Sequence, residues 1–491
     1  MAVGLAARLG VAALLASLVA CGPRPQGGAR PGLAREPGVA PARSLVLVVA
    51  DALRRDRPGA YGGSVATPHF DAFARANLLF DRVSAQAPWT KPSIATLFTS
   101  LYPTQHRVAS DPQLQGAFGV MRTGQVTEAD VLGGDFVTLA EVLTHAGARA
   151  GAVVANPWLL RRYGFAQGFE HYDERLASWD APGREVSDTA LAWLARVPEG
   201  QRFFLYVHYM DAHRPYGRLD PDAARAIEPD ARVLDANGLQ FVRGYLKLAD
   251  GRGVGEAGVT PSAALVESAY DRGVANFDAA LGVLLEGLAA RADRDRTAIV
   301  VTADHGEGLY ERGYGNHGGG LFELELAIPL AMRLPGVTPT RARLDCLLGL
   351  VDLMPTFCDL MGAACPEGLA GRSLLDPDLE PTRFLLSEGV MTRPANRAIR
   401  GRRYKLIHEP DGRRDERDAL GPTSMYELGA TGEQGPDLLA EGDLTPELAV
   451  RRDALQRALE EGVPAWTASE PERAPVAPAL RQRLRALGYG D

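Results

Sequence analysis

Four stretches of the sequence carry side chains whose types and spacing could do chemistry. Residues 49–56 read VADALRRD and hold Asp51 and Arg54. Residues 87–103 read APWTKPSIATLFTSLYP and set Thr90 and Lys91 just ahead of an apolar pattern with helical spacing. Residues 208–216 read HYMDAHRPY, with Asp211 and His213. Residues 303–307 read ADHGE, and His317-Gly318 follows. Carboxylates and imidazoles can hold a divalent cation or trade protons, and a hydroxyl becomes a nucleophile once activated. Alone, each residue has a plainer use. An Asp after a strand caps a turn, a Thr before a helix is an N-cap, and a single His is commonly structural. The case for chemistry rests on where the elements deliver them.

Residues 44–50, SLVLVVA, form a continuous apolar, β-branched run, the pattern of a strand buried on both faces. Similar runs lie at 150–155 (AGAVVA), 203–207 (FFLYV) and 297–302 (TAIVVT). Apolar three/four spacing marks helices at 70–76, 93–101, 137–146, 188–196 and 263–291. Strands alternating with helices imply an α/β fold around a central, mostly parallel sheet. Asp51 follows the first run, Asp211 and His213 the third, Asp304 and His305 the fourth. In open α/β sheets, ligands collect beyond the carboxyl ends of strands. Three strands therefore bring carboxylates and imidazoles to one edge, which marks that edge as an active site. From about residue 382 the pattern changes to short strand-like pieces at 384–387, 396–400, 404–408 and 424–428. Helical stretches at 446–461 and 479–487 close this smaller, antiparallel α+β subdomain.

The chain has 491 residues, 46% hydrophobic and 23% charged, with a formal net charge of −8. That is an ordinary globular composition, which excludes a wholly disordered or multi-span membrane protein. The acidic balance argues against a nucleic-acid binder. Residues 1–20 carry Arg8 and then an apolar run, the pattern of an export signal. The run ends Leu18-Val19-Ala20-Cys21, which resembles the bacterial lipobox, whose Cys becomes lipid-modified. The reading is an exported protein lipid-anchored in the cell envelope through Cys21. Residues 21–42 are rich in Pro and Gly and read as a tether. A main domain is expected at 43–380 and the subdomain at 381–491. Cys346, Cys358 and Cys365 remain in the mature chain. Cys358 with Cys365 is the favoured disulfide, buried free thiols being the alternative.

Together the four stretches resemble the sulfatase family within the alkaline-phosphatase-like superfamily. The resemblance runs over 44–437 and includes VDLMPT at 351–356, LAGRSL at 369–374 and YKLI at 404–407. It implies the superfamily fold and hydrolysis of an anionic sulfate or phosphate ester. It also implies Thr90 as nucleophile at a helix start, and Asp51, Asp304, His305 and the Thr90 oxygen as ligands of one divalent metal. A mixed carboxylate and imidazole set favours manganese or zinc, with magnesium or calcium less suited. His213 and His317 match pocket positions that donate to oxygens or to the leaving group. Lys91 and Arg54 are candidates to bind the anion's oxygens. His106, His208 and Asp211 are secondary candidates.

The sequence departs from the usual sulfatase pattern. Thr90 stands where the family has a Cys or Ser that is oxidised to formylglycine. Thr carries a methyl on its carbinol carbon, so oxidation cannot give that aldehyde. Ile94, Ala52 and His305 replace a family Arg, Asp and Asn. This pattern resembles the Thr-nucleophile branch of phosphodiesterases, lipoteichoic acid synthases and phosphoethanolamine transferases. The alternatives to a hydrolase are therefore a phospho-headgroup transferase acting on envelope molecules and a lipid-anchored binding protein that has lost catalysis. Substrate specificity is expected in the loops 109–135 and 218–261.

Overall fold

The computed structural model describes the chain from Leu33 to Pro475 with interruptions. Residues 1–32 and 476–491 lie outside the described residues, as do 109–127, 235–252 and 411–422 among longer internal stretches. The expected leader, Cys21, the helix at 479–487 and most of the two specificity loops fall in those parts. Within the stretch read as a tether, Leu33–Arg35 pairs antiparallel with Val337–Pro339.

The central sheet has eight strands: β1 (Ser44–Ala50), β2 (Leu78–Ser84), β3 (Arg149–Val154), β4 (His171–Asp173), β5 (Phe203–Tyr209), β6 (Thr297–Ala303), β7 (Leu330–Arg333) and β8 (Arg343–Gly349). Their order is β8-β2-β7-β6-β1-β5-β3-β4, and only β7 runs antiparallel to its neighbours. Every residue of β1, β5 and β6 is buried, which is why these strands read as unbroken apolar runs. The expected strands are all present. The sheet also holds β2, β4, β7 and β8, which the apolar-run pattern did not reveal. β2 carries half-buried Asp81 and Arg82, β8 is an edge strand with exposed Arg343 and Asp345, and β7 has only four residues.

Helices cover both faces. They include α1 (Pro68–Ala76), α2 (Thr90–Thr99), α3 (Leu139–His145), α4 (Gly183–Leu194), α5 (Ala263–Ala289) and α6 (Leu353–Met361). α5 packs against α4 and α1. A Cβ on Gly273 of α5 would lie 2.2 Å from the Asp211 carbonyl oxygen. Glycine there lets the helix run close beneath the loop that carries His213. No helix of the described residues is long and apolar enough to cross a membrane.

The C-terminal part forms a separate antiparallel sheet of β9 (Leu385–Glu388), β10 (Arg397–Arg400), β11 (Tyr404–His408), β12 (Thr423–Leu428) and β13 (Gln434–Asp437). α7 (Pro446–Gly462) lays Leu455 and Leu459 on Leu386, Ile399, Leu406 and Met425. Buried Glu323 of the main domain accepts from Arg400 (3.0 Å) and Lys405 (2.9 Å), tying the two parts together. Cys358 and Cys365 form a disulfide with Cα atoms 5.5 Å apart.

Candidate active site

Four adjacent strands deliver the site. In register, Ala303 of β6 lies beside Ala50 of β1, Ala50 beside Tyr209 of β5, and Val154 of β3 beside His208. The residues that follow the strands therefore emerge together: Asp304 and His305 from β6, Asp51 from β1, and Asn156 just past β3. His208 belongs to β5 itself. Ala52, next to Asp51, has φ +58°, an unusual conformation for a residue with a side chain. Its N–H donates to Asp304 Oδ1 (3.1 Å) and its carbonyl accepts from Tyr270 Oη (2.6 Å). Those bonds hold the turn that aims Asp51 toward Asp304.

Asp51, Asp304 and His305 are fully buried, with ligand atoms all within 4.8 Å of one another. His305 Nε2 is 3.5 Å from Asp51 Oδ1 and 3.5 Å from Asp304 Oδ2. Its Nδ1–H donates to the Gly306 carbonyl (2.7 Å), which turns the Nε2 lone pair toward the carboxylates. Thr90, the first residue of α2, sets Oγ1 3.4 Å from both Asp51 Oδ2 and His305 Nε2.

Two features fit this cluster to a cation. Asp51 Oδ1 and Asp304 Oδ2 are buried with no hydrogen-bond partner among the described residues. The two carboxylates also oppose each other. Burial, and then the Asp304 charge, push the Asp51 carboxyl well above its ordinary range. Burial acts on Asp304 too, but the neighbouring imidazoles of His305 and His208 outweigh it and hold that carboxyl low. A divalent ion would relieve the repulsion and take up the orphaned oxygens.

His213 and His317 lie against this cluster. The His317 ring is 4.4 Å from His305 and 5.0 Å from His213, and Trp179 stacks on His213 at 5.3 Å. His213 Nδ1–H donates to the Arg214 carbonyl (2.7 Å), and His317 Nδ1–H donates to Glu307 (3.1 Å). The second Glu307 oxygen accepts from Tyr216 (3.0 Å). Both imidazoles are thus oriented by one nitrogen and keep Nε2 for other work. Burial pushes both well below the usual histidine range.

The other candidates stand differently. Lys91 gives its ammonium to the Asp130 carbonyl and lies 4.5 Å over the Tyr163 ring. Arg54 is engaged by Asp56, Glu311 and the Glu307 carbonyl. His106 bonds Thr96 Oγ1 (3.1 Å) and accepts from Val108 N (3.1 Å), and burial lowers its pKa to about 3. That is a satisfied core histidine. Asp211 accepts from Gly183 N at the start of α4 (3.2 Å), and burial raises its pKa to about 7.

Asn156 was not among the sequence candidates. Its Oδ1 accepts from Trp158 N (2.7 Å), which fixes the amide orientation. Nδ2 then donates to Asp51 Oδ2 (2.5 Å) and reaches Thr90 Oγ1 at 3.3 Å. The available signal was the one that found Asp51, a polar residue directly after a buried run. Glu307, Tyr216 and Trp179 were also missed as supports.

The family model for sulfatases matches residues 43–363. The chain belongs to the sulfatase family. It is thereby an enzyme of the sulfuric ester hydrolase type. The Δ4,5-hexuronate-2-O-sulfatase of Bacteroides thetaiotaomicron is 24% identical over 419 residues, covering 76% of this chain and 81% of that one. The human N-sulphoglucosamine sulphohydrolase is 26% identical over 389 residues, covering 71% and 70%. The solved phosphonate monoester hydrolase of Agrobacterium radiobacter superposes with a TM-score of 0.64 at 19% identity, covering 89% of this chain and all of that one (100%). That last likeness speaks to the fold, which is the sulfatase α/β fold expected.

Proposed function

We propose that this sulfatase-family chain hydrolyses anionic sulfate or phosphate esters with Thr90 as nucleophile and one divalent metal as cofactor. The observation that carries it is the Thr90 hydroxyl at 3.4 Å from both Asp51 and His305, beside two orphaned carboxylate oxygens. Asp51, Asp304, His305 and the Thr90 oxygen would hold the ion, with manganese or zinc favoured by the mixed donors. When bound, the ion supplies positive charge for the ester oxygens and lowers the pKa of the hydroxyl. The relatives' names support the substrate class, since one is a 2-O-sulfatase, one a sulphohydrolase of N-sulphoglucosamine and one a phosphonate monoester hydrolase.

Thr90 Oγ1 forms a bond to sulfur or phosphorus as the bond to the leaving oxygen breaks. One proton leaves Thr90 and one reaches the departing oxygen. Nε2 of His317 or His213, unprotonated in the resting site, accepts that proton and passes it to the departing oxygen. The start of α2 favours the anion beside it. Water then attacks the Thr90 ester, the bond to Oγ1 breaks, and Oγ1 regains a proton from that water. No formylglycine is involved.

Export and attachment through Cys21 remain part of this reading. The Cys358–Cys365 disulfide supports it, because such bonds persist in oxidising compartments.

The test is Thr90→Ala assayed against an aryl sulfate, a phosphodiester and a phosphate monoester, each with added manganese, zinc, magnesium or calcium. Turnover should fall by roughly a thousandfold or more. Metal should still bind. Undiminished turnover in the variant would refute the nucleophile. A product that forms only when an acceptor alcohol is supplied would make the enzyme a transferase.

A further inference from the structure

We propose that His208 is a direct ligand of the metal, a second imidazole in the donor set beside His305. The inference rests on the metal-dependent reading above.

His208 lies on β5, the strand next to β1, and its side chain is fully buried at the edge where Asp51 and Asp304 emerge. Its Nε2 is 3.6 Å from Asp51 Oδ2 and 3.9 Å from Asp304 Oδ2. Those separations are too long for hydrogen bonds. Neither ring nitrogen has a hydrogen-bond partner among the described residues. A buried imidazole ordinarily finds one, so this one is spare. The oxygens it faces include Asp304 Oδ2, itself orphaned.

The spacing suits a common centre. Donors about 2.1 Å from one ion stand about 3 to 3.5 Å from their neighbours. Around this cluster the edges are 3.4 Å for Thr90 to Asp51 and to His305, and 3.5 Å for His305 to each Asp. They are 3.6 and 3.9 Å for His208 to Asp51 and Asp304. His208 stands just outside the group formed by Asp51, Asp304 and His305, and its imidazole would have to move inward to join them on an ion. Its partners in that shell come from β1, β6 and α2, so the imidazole adds a fourth element to the centre. Two imidazoles also shift the preference further from calcium and magnesium toward zinc or manganese.

The test counts imidazoles on the ion. Full-length mature chain is stripped of metal, reloaded with Mn2+, and studied by pulsed electron paramagnetic resonance, which detects directly bound imidazole nitrogens. The same is done for His208→Gln and His305→Gln. Two bound imidazoles are expected in the wild type and one in each variant. The Mn2+ dissociation constant of His208→Gln should rise at least tenfold. One bound imidazole in the wild type, unchanged in His208→Gln, would overturn the proposal while leaving the metal reading intact. If Mn2+ and Zn2+ both fail to bind the wild type, the metal reading falls and this inference with it. The wild-type count decides the matter even if a variant does not fold.

Discussion

Two buried clusters of charge hold this molecule together in opposite ways. At the main-domain interface with the C-terminal sheet, Glu323 is met by Arg400 through Nε and Nη2 and by Lys405 at 2.9 Å. One carboxylate has two cations, and its oxygens are saturated. At the sheet edge, Asp51 and Asp304 share a small volume with imidazoles, an amide and a hydroxyl, and leave one oxygen each without a hydrogen bond among the described residues. The first cluster is complete as a structure. The second needs something from outside the chain. Burial alone does not separate the two, since both are inaccessible; the balance of charge and hydrogen bonds does.

The sharpest way to break this contrast is to remove one carboxylate charge from each cluster. Asp304→Asn should lower kcat/KM by roughly a thousandfold or more by removing a ligand. In chelator, its thermal midpoint should equal or exceed that of the wild type. Asparagine keeps an acceptor for Ala52 and His305 N–H, and Asp51 loses an opposing charge. Glu323→Gln should do the reverse. It strands two buried cations, so stability should fall by about 3 kcal/mol or more in urea unfolding. The folded fraction should keep kcat within about twofold. Equal destabilisation by both variants in chelator would show that the sheet-edge cluster is structural as well.

Acidity separates the clusters again. Burial raises the Glu323 carboxyl, but the Arg400 and Lys405 charges outweigh it and bring it down to about 2. A folded-state value below the unfolded one means that the stabilisation is present at neutral pH. It is lost as pH falls from about 4.3 toward 2. The loss amounts to about 3 kcal/mol. Glu323→Gln should therefore be flatter than the wild type across that window in urea midpoints. A parallel fall in both would assign the acid limb to other groups.

The same contrast explains what was readable in the sequence. β1, β5 and β6 are buried on both faces, so their residues form unbroken apolar runs, and the polar residues at their ends stand out. Asp51, Asp304 and His305 were legible for that reason. Charged residues interrupt β2, and β8 sits at the sheet edge with exposed charges, so no run marked them. Lys91 and Arg54 were read as anion contacts because they flank Thr90 and Asp51 in sequence. Their side chains meet Asp130 and Tyr163, and Asp56 and Glu311, across the fold. Sequence proximity fixes the backbone position of a long cationic side chain but not the direction of its head. Asn156 shows the converse. Its position was as plain as that of Asp51, but an amide neither ionises nor carries charge to draw attention. Its role exists only through the partners the sheet register brings to it.

That role gives the smallest loss of activity expected within the sheet-edge site. Asn156 Nδ2, just past β3, bonds Asp51 and reaches Thr90. Asn156→Ala removes that donor but none of the proposed ligands of the metal. Losing a hydrogen bond that supports a metal-site residue costs about 10- to 100-fold in activity. Metal content should be unchanged and KM should move less than threefold. In the second half of the proposed reaction Thr90 Oγ1 is the leaving oxygen, so the donor matters most there. The Thr90 ester should then accumulate in the variant on an aryl ester with a good leaving group, giving a burst of released aryl alcohol and a mass increment on the peptide that contains Thr90. If burst and steady state fall together with no ester on Thr90, Asn156 serves only to hold Asp51 in place.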